Sequence, residues 1–174
     1  MRDNSDIKRI EKFISETGAL VKVPLDVYFS GDATSIMFGI RKSTIDVDIR
    51  FEPDELQMYQ AIQTLKEKLN MNIELASPID FIPPLRAWKE RSIFISRAGK
   101  VSFYHLDLYS QLISKIHRGW KQDLTDAKGF LKMDMDKKLL KKLFSEIKPD
   151  FIKYPAVNVA DLKKRLNKFL NETK

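Results

Sequence analysis

One alternating stretch decides the fold: residues 43–51 read STIDVDIRF. Its apolar and charged side chains alternate, as they do in a strand with one buried face. We therefore predict a half-buried strand with Ile45, Val47 and Ile49 on the buried face. Asp46 and Asp48 stand two residues apart, so their carboxylates share the opposite face. Two carboxylates that point the same way can bind one or two divalent cations.

The segment before this strand predicts a tight strand-to-helix turn. Residues 23–29 have a strand pattern, Ser30-Gly31-Asp32 interrupts it, and residues 33–40 are short, apolar and helical in character. A glycine at such a turn lets the backbone approach a ligand closely, and the start of a helix offers free N–H groups to a phosphate. Asp32 has a simpler interpretation as the N-cap of the short helix.

Glu74 adds a third carboxylate on the next predicted strand, residues 72–75. It could share a metal ion with Asp46 and Asp48, or it could accept the proton of a nucleophile. The alternative is structural: a glutamate on a short strand is often simply exposed, and the two aspartates could line the solvent face of an edge strand.

Periodicity predicts the remaining elements. Pro53 is expected in the first turn of a helix that runs to about Leu69, and residues 81–87 are expected to form a loop. Strands that alternate with helices favour an α/β (α+β) fold, a mixed sheet flanked by helices with a helical C-terminal region. The predicted helices cover residues 6–21, 53–69, 108–118, 123–131, 137–147 and 159–170, and a hairpin joins strands 92–96 and 100–105.

Composition excludes several kinds of site. The 174 residues include no cysteine and only two histidines. Disulfides, thiolate zinc sites and cysteine nucleophiles are therefore excluded, and a metal site built from histidines is disfavoured. No apolar run approaches the ~20 residues of a membrane span, and the N-terminus is polar rather than signal-like. We expect a cytoplasmic protein without membrane contact.

Positive charge concentrates at the C-terminal end. The net charge is +7, and residues 132–174 hold 12 Lys or Arg against 6 Asp or Glu. This asymmetry suggests a polyanionic partner such as RNA. The alternative is a lysine-rich helical face that is merely solvated.

The turn and the carboxylates together resemble the first motif of the minimal nucleotidyltransferases of the DNA polymerase β superfamily. That motif is a hydrophobic residue, a Gly-Gly or Gly-Ser pair, a short spacer and then Asp-x-Asp. Here Phe29-Ser30-Gly31 precedes Asp46-Val47-Asp48, with Ser30 where the first glycine is usual, and Glu74 fits the third acidic position.

A second resemblance lies downstream. Lys115, Arg118, Asp123 and Asp126 are similar to the Lys…Arg…Asp-Leu-x-Asp helices of the abortive-infection and toxin–antitoxin branch of these enzymes. Residues 74–85 also look like a prokaryotic group of uncharacterised nucleotidyltransferase-like proteins. The similarity covers roughly residues 25–131, which implies a nucleotidyltransferase-like core over residues 1–131 and a basic helical extension over residues 132–174.

The resemblance implies a metal-dependent nucleotidyltransferase that transfers a nucleotidyl group from a nucleoside triphosphate to an RNA or protein hydroxyl. It assigns Mg²⁺ or Mn²⁺ to Asp46, Asp48 and Glu74. The expected roles of the remaining site residues are nucleotide binding by Ser30, Gly31, Arg41 and Ser43, and catalysis with Lys115 and Asp123, in which Lys115 neutralises charge on the transferred phosphate and Asp123 orients Lys115.

A different class of function stays open, because an inactive member of the same family could act as a binding protein, for example as a toxin–antitoxin partner. Several single residues also have structural interpretations. Lys115 could be a surface lysine, and Asp123 and Asp126 could pair with Lys121 or Arg118. Asp107 is expected to be an N-cap, His105 and His117 to be structural, and Trp88 and Trp120 to be core or hinge aromatics rather than base-stacking ones.

Overall fold

A mixed five-stranded sheet organises the first part of the computed structural model, which describes residues 2–173. The strand order is β3-β2-β1-β5-β4. β1 pairs antiparallel with β2 and parallel with β5, β2 pairs parallel with β3, and β4 pairs antiparallel with β5. This confirms the predicted α/β (α+β) class with a mixed sheet flanked by helices. The strands are β1 Leu25–Ser30, β2 Asp46–Glu52, β3 Asn72–Leu75, β4 Ile93–Ala98 and β5 Val101–His105.

The chain forms two compact units, and each is discontinuous in sequence. The first unit contains the chain up to Ser77 together with Ser92–Leu106, and the second contains Pro78–Arg91 together with the chain from Asp107 onward. The predicted boundary after residue 131, between a nucleotidyltransferase-like core and a basic helical extension, stays a prediction. The helices of the first unit are α1 Ile7–Leu20, α2 Asp32–Met37 and α3 Leu56–Lys68, and those of the second are α4 Trp88–Arg91, α5 Leu108–Arg118, α6 Lys121–Leu131, α7 Lys137–Ile147 and α8 Val159–Glu172.

The core of the first unit lies on the apolar face of β2 and its neighbours. Val47 and Ile49 are fully buried in a cluster that includes Phe13 of α1 and Leu65 of α3, as the alternation predicts. The expectation for Ile45 was wrong, because this side chain is 62% exposed. Before β2 the chain is held by an isolated bridge between Thr44 and the N-terminal segment, so the regular alternation begins only at the strand itself.

Helix boundaries follow the capping residues. Asp6 caps α1 by accepting a hydrogen bond from the Arg9 N–H at 3.0 Å. α5 and α7 have the predicted bounds, and Asp107 caps α5 as expected. Pro53 does not lie in the first turn of α3, which begins at Leu56 because the Glu55 carboxylate caps it. In residues 2–173, no helix combines the length and the apolarity that a membrane span requires.

His105, at the end of β5, is a buried neutral histidine. Its Nδ1 lies 3.3 Å from the Thr34 hydroxyl, and its ring packs against Phe38 with 4.4 Å between ring centroids. Burial disfavours the imidazolium and lowers the pKa of His105 to about 4. This supports the structural role expected for it.

We predict that the stability contributed by His105 is lost at acidic pH. The unfolded chain, with a histidine pKa near its ordinary value, takes up the proton before the folded protein does, so stability falls as the pH drops toward the folded pKa. The expected loss from this residue is about 2 kcal/mol between about pH 7.5 and about pH 5. Urea unfolding of the wild type and of His105→Asn measures it.

The difference between the two proteins removes the contributions that they share, including that of His117, whose pKa is also lowered by partial burial. The free-energy curves should converge as the pH falls. Curves that stay parallel would contradict a buried neutral His105.

Candidate active site

The end of β1 places Ser30 and Gly31 beside a β2 carboxylate. Ser30 lies opposite Asp48 in the antiparallel register, and its hydroxyl donates to the Ala76 carbonyl at 3.4 Å. Gly31 is the N-cap of α2 with φ +61° and ψ −130°. A Cβ atom built on Gly31 would meet Oδ2 of Asp48 at 2.8 Å. Glycine is favoured here by its positive φ, and any larger residue would also displace the Asp48 carboxylate.

The three predicted carboxylates lie on one face of two neighbouring strands. In the parallel register Asp48 lies opposite Glu74, and Asp46 lies opposite Asn72. Paired strands run about 4.8 Å apart, and residues in register point to the same face. The register therefore brings Asp46, Asp48 and Glu74 into one patch. Over residues 2–173, no three or more His, Cys, Asp or Glu side chains are grouped in a way that could hold a metal ion.

Asn72 is a member of this patch that the sequence reasoning missed. Its side-chain amide donates to Oδ1 of Asp46 at 2.5 Å and to Oε1 of Glu74 at 3.1 Å. One uncharged group thus holds two carboxylates by both of its amide hydrogens, which offsets part of their mutual repulsion. The signal was present in the sequence, because Asn72 precedes Glu74 by two residues and so shares its strand face.

The loop between α2 and β2 neutralises the acid next to Gly31. The expectation that Asp32 is an N-cap was wrong, because Gly31 occupies that position. The Asp32 carboxylate instead forms an ion pair with the Arg41 guanidinium and lies 3.1 Å from the Thr44 hydroxyl. Ser43 lies half-buried in the same loop. The pair balances the negative charge that Asp32 would otherwise present to a phosphate.

The donor set of the patch fits a hard divalent cation. Asp46 and Asp48 supply carboxylate oxygens from one strand face, and both are half-buried. Mg²⁺ is usually held by one or two carboxylates together with substrate phosphates and water, rather than by a cage built only from protein. Two aspartates beside a glycine that admits close approach meet this requirement.

Lys115 and Asp123 belong to the second unit, in a buried charged cluster. Lys115 is 2% exposed, so it is not a surface lysine. Its Nζ lies 2.8 Å from Oδ2 of Asp126 and 3.3 Å from Oδ1 of Asp123. Arg118 also contacts Oδ1 of Asp123 at 2.5 Å, and Gln122 donates to Asp126 at 3.2 Å. The helices α5 and α6 thus pair two cations with two carboxylates.

In this cluster Asp123 contacts both of the partners that the sequence left open, Arg118 and Lys115. The carboxylate pairs with Arg118, and it also contacts the lysine that it was expected to orient. Removing one member of a buried ion pair typically costs about 3–5 kcal/mol, because the remaining charge is left uncompensated. The cluster therefore holds the Lys115 ammonium in one position between α5 and α6.

Comparison with known proteins identifies the family. Neither the curated proteins nor the solved structures contain a match to this chain. The model of a family described as a nucleotidyltransferase of unknown function, DUF6036, matches residues 6–174. That description supports nucleotidyl transfer as the kind of role, in agreement with the residues that resemble the nucleotidyltransferase motif. The chain therefore belongs to the DUF6036 family of nucleotidyltransferases of unknown function.

Proposed function

We propose that this protein is a metal-dependent nucleotidyltransferase that transfers a nucleotidyl group from a nucleoside triphosphate to a hydroxyl group, with RNA preferred over protein as the acceptor. The observation that carries the proposal is the position of the Asp48 carboxylate, 2.8 Å from where a Cβ on residue 31 would lie, with Asp46 on the same face of β2. Family membership supports the class of reaction, and the basic residues 132–174 support RNA as the acceptor.

Each residue of the patch has a separate task in this proposal. Asp46 and Asp48 would hold Mg²⁺ or Mn²⁺, which when bound neutralises phosphate charge and orients the triphosphate. Ser30 and Gly31 would bind the phosphates through their backbone at the turn into α2, since the Ser30 side chain is buried and bonded to Ala76. Arg41 keeps the neighbouring Asp32 neutralised, so that acid does not repel the nucleotide.

The reaction is a displacement at the α-phosphorus. The acceptor hydroxyl oxygen forms a bond to this phosphorus, the bond to the bridging oxygen breaks, and pyrophosphate leaves. Glu74 would accept the hydroxyl proton, since it is an exposed carboxylate opposite Asp48. Asn72 donates to Oε1 of Glu74, and in our proposal Oε2 receives the proton.

A second candidate is a catalytically inactive binding protein, such as a toxin–antitoxin partner. One observation favours it: the Asn72 amide already bonds the carboxylates of Asp46 and Glu74. In a catalytically inactive protein these hydrogen bonds could serve to stabilise the structure alone. The metal response, meaning the rise in melting temperature when Mg²⁺ or Mn²⁺ is added, distinguishes the two candidates.

We predict that Asp46→Asn abolishes the metal response and leaves the fold intact. The wild type should melt at a higher temperature in millimolar Mn²⁺, because a ligand that binds the folded state stabilises it by mass action. Without metal the variant should melt at an equal or higher temperature than the wild type, since removing one charge relieves repulsion among the carboxylates. Thermal melting with and without Mn²⁺ and nucleoside triphosphates measures both effects.

The matched control is Asp26→Asn, the same change on the same sheet at the far end of β1. It should keep the full metal response. A wild type that gains no stability from Mg²⁺ or Mn²⁺, with or without nucleotide, would favour the inactive binding protein.

We predict that Gly31→Ala weakens metal and nucleotide binding without changing any charge. The new Cβ would lie 2.8 Å from the Asp48 carboxylate, and the positive φ would strain the backbone. Stability should fall by at least about 1 kcal/mol. Urea unfolding and Mn²⁺ titration measure the two effects.

Gly39→Ala is the matched control, because Gly39 also has a positive φ of +72° but its Cβ would meet nothing within 4 Å. The control should lose stability through backbone strain and keep its metal affinity. Equal metal affinities in the two variants would mean that the position of the Asp48 carboxylate beside Gly31 has no part in binding.

We predict that Asp123→Asn lowers the transfer rate and leaves the metal response unchanged. The substitution removes one of the two carboxylates around Lys115, while Asp126 remains 2.8 Å from its ammonium. If Asp123 positions Lys115, kcat should fall with an unchanged metal midpoint. Incorporation of α-labelled nucleotide into RNA measures the rate, with the exposed Asp134→Asn as the control. Equal rates in the wild type and Asp123→Asn would assign Asp123 to structure only.

A further inference from the structure

We propose that the second unit binds a single-stranded polynucleotide, with its phosphates in a basic pocket and a base stacked on Trp120. The pocket, here called the α5–α8 pocket, has a volume of about 510 Å³ and is lined by residues of α5, α6 and α8 and by Gly119 and Thr173. The inference rests on the proposed function in one respect only: the bound strand is taken to be the acceptor of the nucleotidyl group. Binding itself is measured without any transfer.

The charge of the α5–α8 pocket selects an anion. Its lining includes four cationic side chains, Arg118, Lys128, Arg165 and Lys168, and a single carboxylate, Glu172. The cations come from three different helices, so their convergence is a product of the tertiary fold rather than a charged face of one helix. Phosphates are the anions that such a concave basic surface attracts most strongly among cellular polymers.

Ion pairs offset part of the positive charge of this pocket. Arg118 contacts Asp123 and Arg165 contacts Asp161 at 2.9 Å, but neither carboxylate lines the pocket. Lys168 lies 3.9 Å from Glu172, at the limit of an ion pair. Lys128 forms no ion pair with any of residues 2–173.

An exposed tryptophan directly follows a residue that lines this pocket. Gly119 ends α5 in the left-handed conformation, φ +71°, and lines the pocket. Trp120 follows directly and is 73% exposed, so it is not a core tryptophan, and its role as a hinge stays a prediction. A tryptophan this exposed beside a basic pocket is the arrangement by which proteins bind single strands, because every base can stack on an aromatic face.

The spread of the pocket cations over three helices, with Trp120 outside the pocket lining, favours a strand over a free nucleotide. A polynucleotide alternates bases and phosphates along its length, so it can place a base on Trp120 and a phosphate among the pocket cations together. The apolar part of the lining, which includes Leu124 and Phe169, suits ribose carbons. RNA and DNA share this chemistry, and the experiment separates them.

The experiment uses Trp120 as its own probe. The chain has two tryptophans, so Trp88→Phe leaves Trp120 as the only one. Titration of this protein with oligouridylate and with oligothymidylate at low salt should quench its fluorescence as a base stacks. Anisotropy of a labelled strand reports binding independently. Quenching by the RNA alone or by both strands identifies the source, and uridine triphosphate at equal concentration should quench far less.

Three variants locate the site. Lys128→Glu should weaken strand binding at least about tenfold and lower its salt dependence, because one phosphate contact becomes a repulsion. Trp120→Ala should weaken it at least about fivefold. The control is Lys164→Glu, an equal charge reversal at an exposed α8 residue outside the pocket, which should stay within about twofold. Circular dichroism melting confirms that each variant is folded.

The proposal is overturned by absence of strand binding at low salt, by equal losses in Lys128→Glu and Lys164→Glu, or by a mononucleotide or an acidic peptide that binds as tightly as the strand. The two proposals fail separately. Strand binding with no transfer activity would contradict the enzyme and support the pocket, whereas transfer to RNA that is indifferent to Lys128 and Trp120 would contradict the pocket and support the enzyme.

Discussion

The position of the Asp48 carboxylate beside Gly31 is the constraint on which the candidate site depends. It requires a left-handed backbone at the end of β1, an antiparallel register that sets Ser30 opposite Asp48, and a residue without a side chain at position 31. A shift of the β1–β2 register by one residue would turn Asp46 and Asp48 into the core and expose Val47 and Ile49. The hydrophobic core and the carboxylate patch are therefore selected by the same alignment of two strands.

The two clusters of charged side chains, one in each unit, differ in how their negative charge is balanced. In the patch on β2 and β3, an uncharged amide, Asn72, holds two carboxylates without cancelling their charge. In the α5–α6 cluster, Lys115 and Arg118 face Asp123 and Asp126, so the charges balance internally. An under-neutralised acidic patch keeps attraction for a cation, whereas a balanced buried cluster mainly fixes the positions of its members.

The sequence predicts much of this architecture where a pattern has a local physical cause. Alternation locates the buried face of β2, and a strong apolar stripe with an aspartate cap sets the bounds of α5 and α7. Prediction from the sequence fails where the surroundings of a residue come from distant parts of the chain. Ile45 is exposed next to the Thr44–Ser5 bridge. Lys115 is buried beside two carboxylates of α6, and Trp120 is exposed directly after the turn at Gly119. The role of Asn72 needed the β2–β3 register.

The discontinuity of the first unit has a consequence for how the chain is made. β5 pairs directly with β1 near the middle of the sheet, yet it is encoded after the loop and short helix that belong to the second unit. A nascent chain that has emerged only as far as Ser77 carries β1, β2 and β3 with one edge of β1 still unpaired. Such an edge readily recruits other strands. During synthesis there is thus an interval, which ends when the β4–β5 hairpin emerges. In this interval the protein is most exposed to misassembly and to chaperone capture.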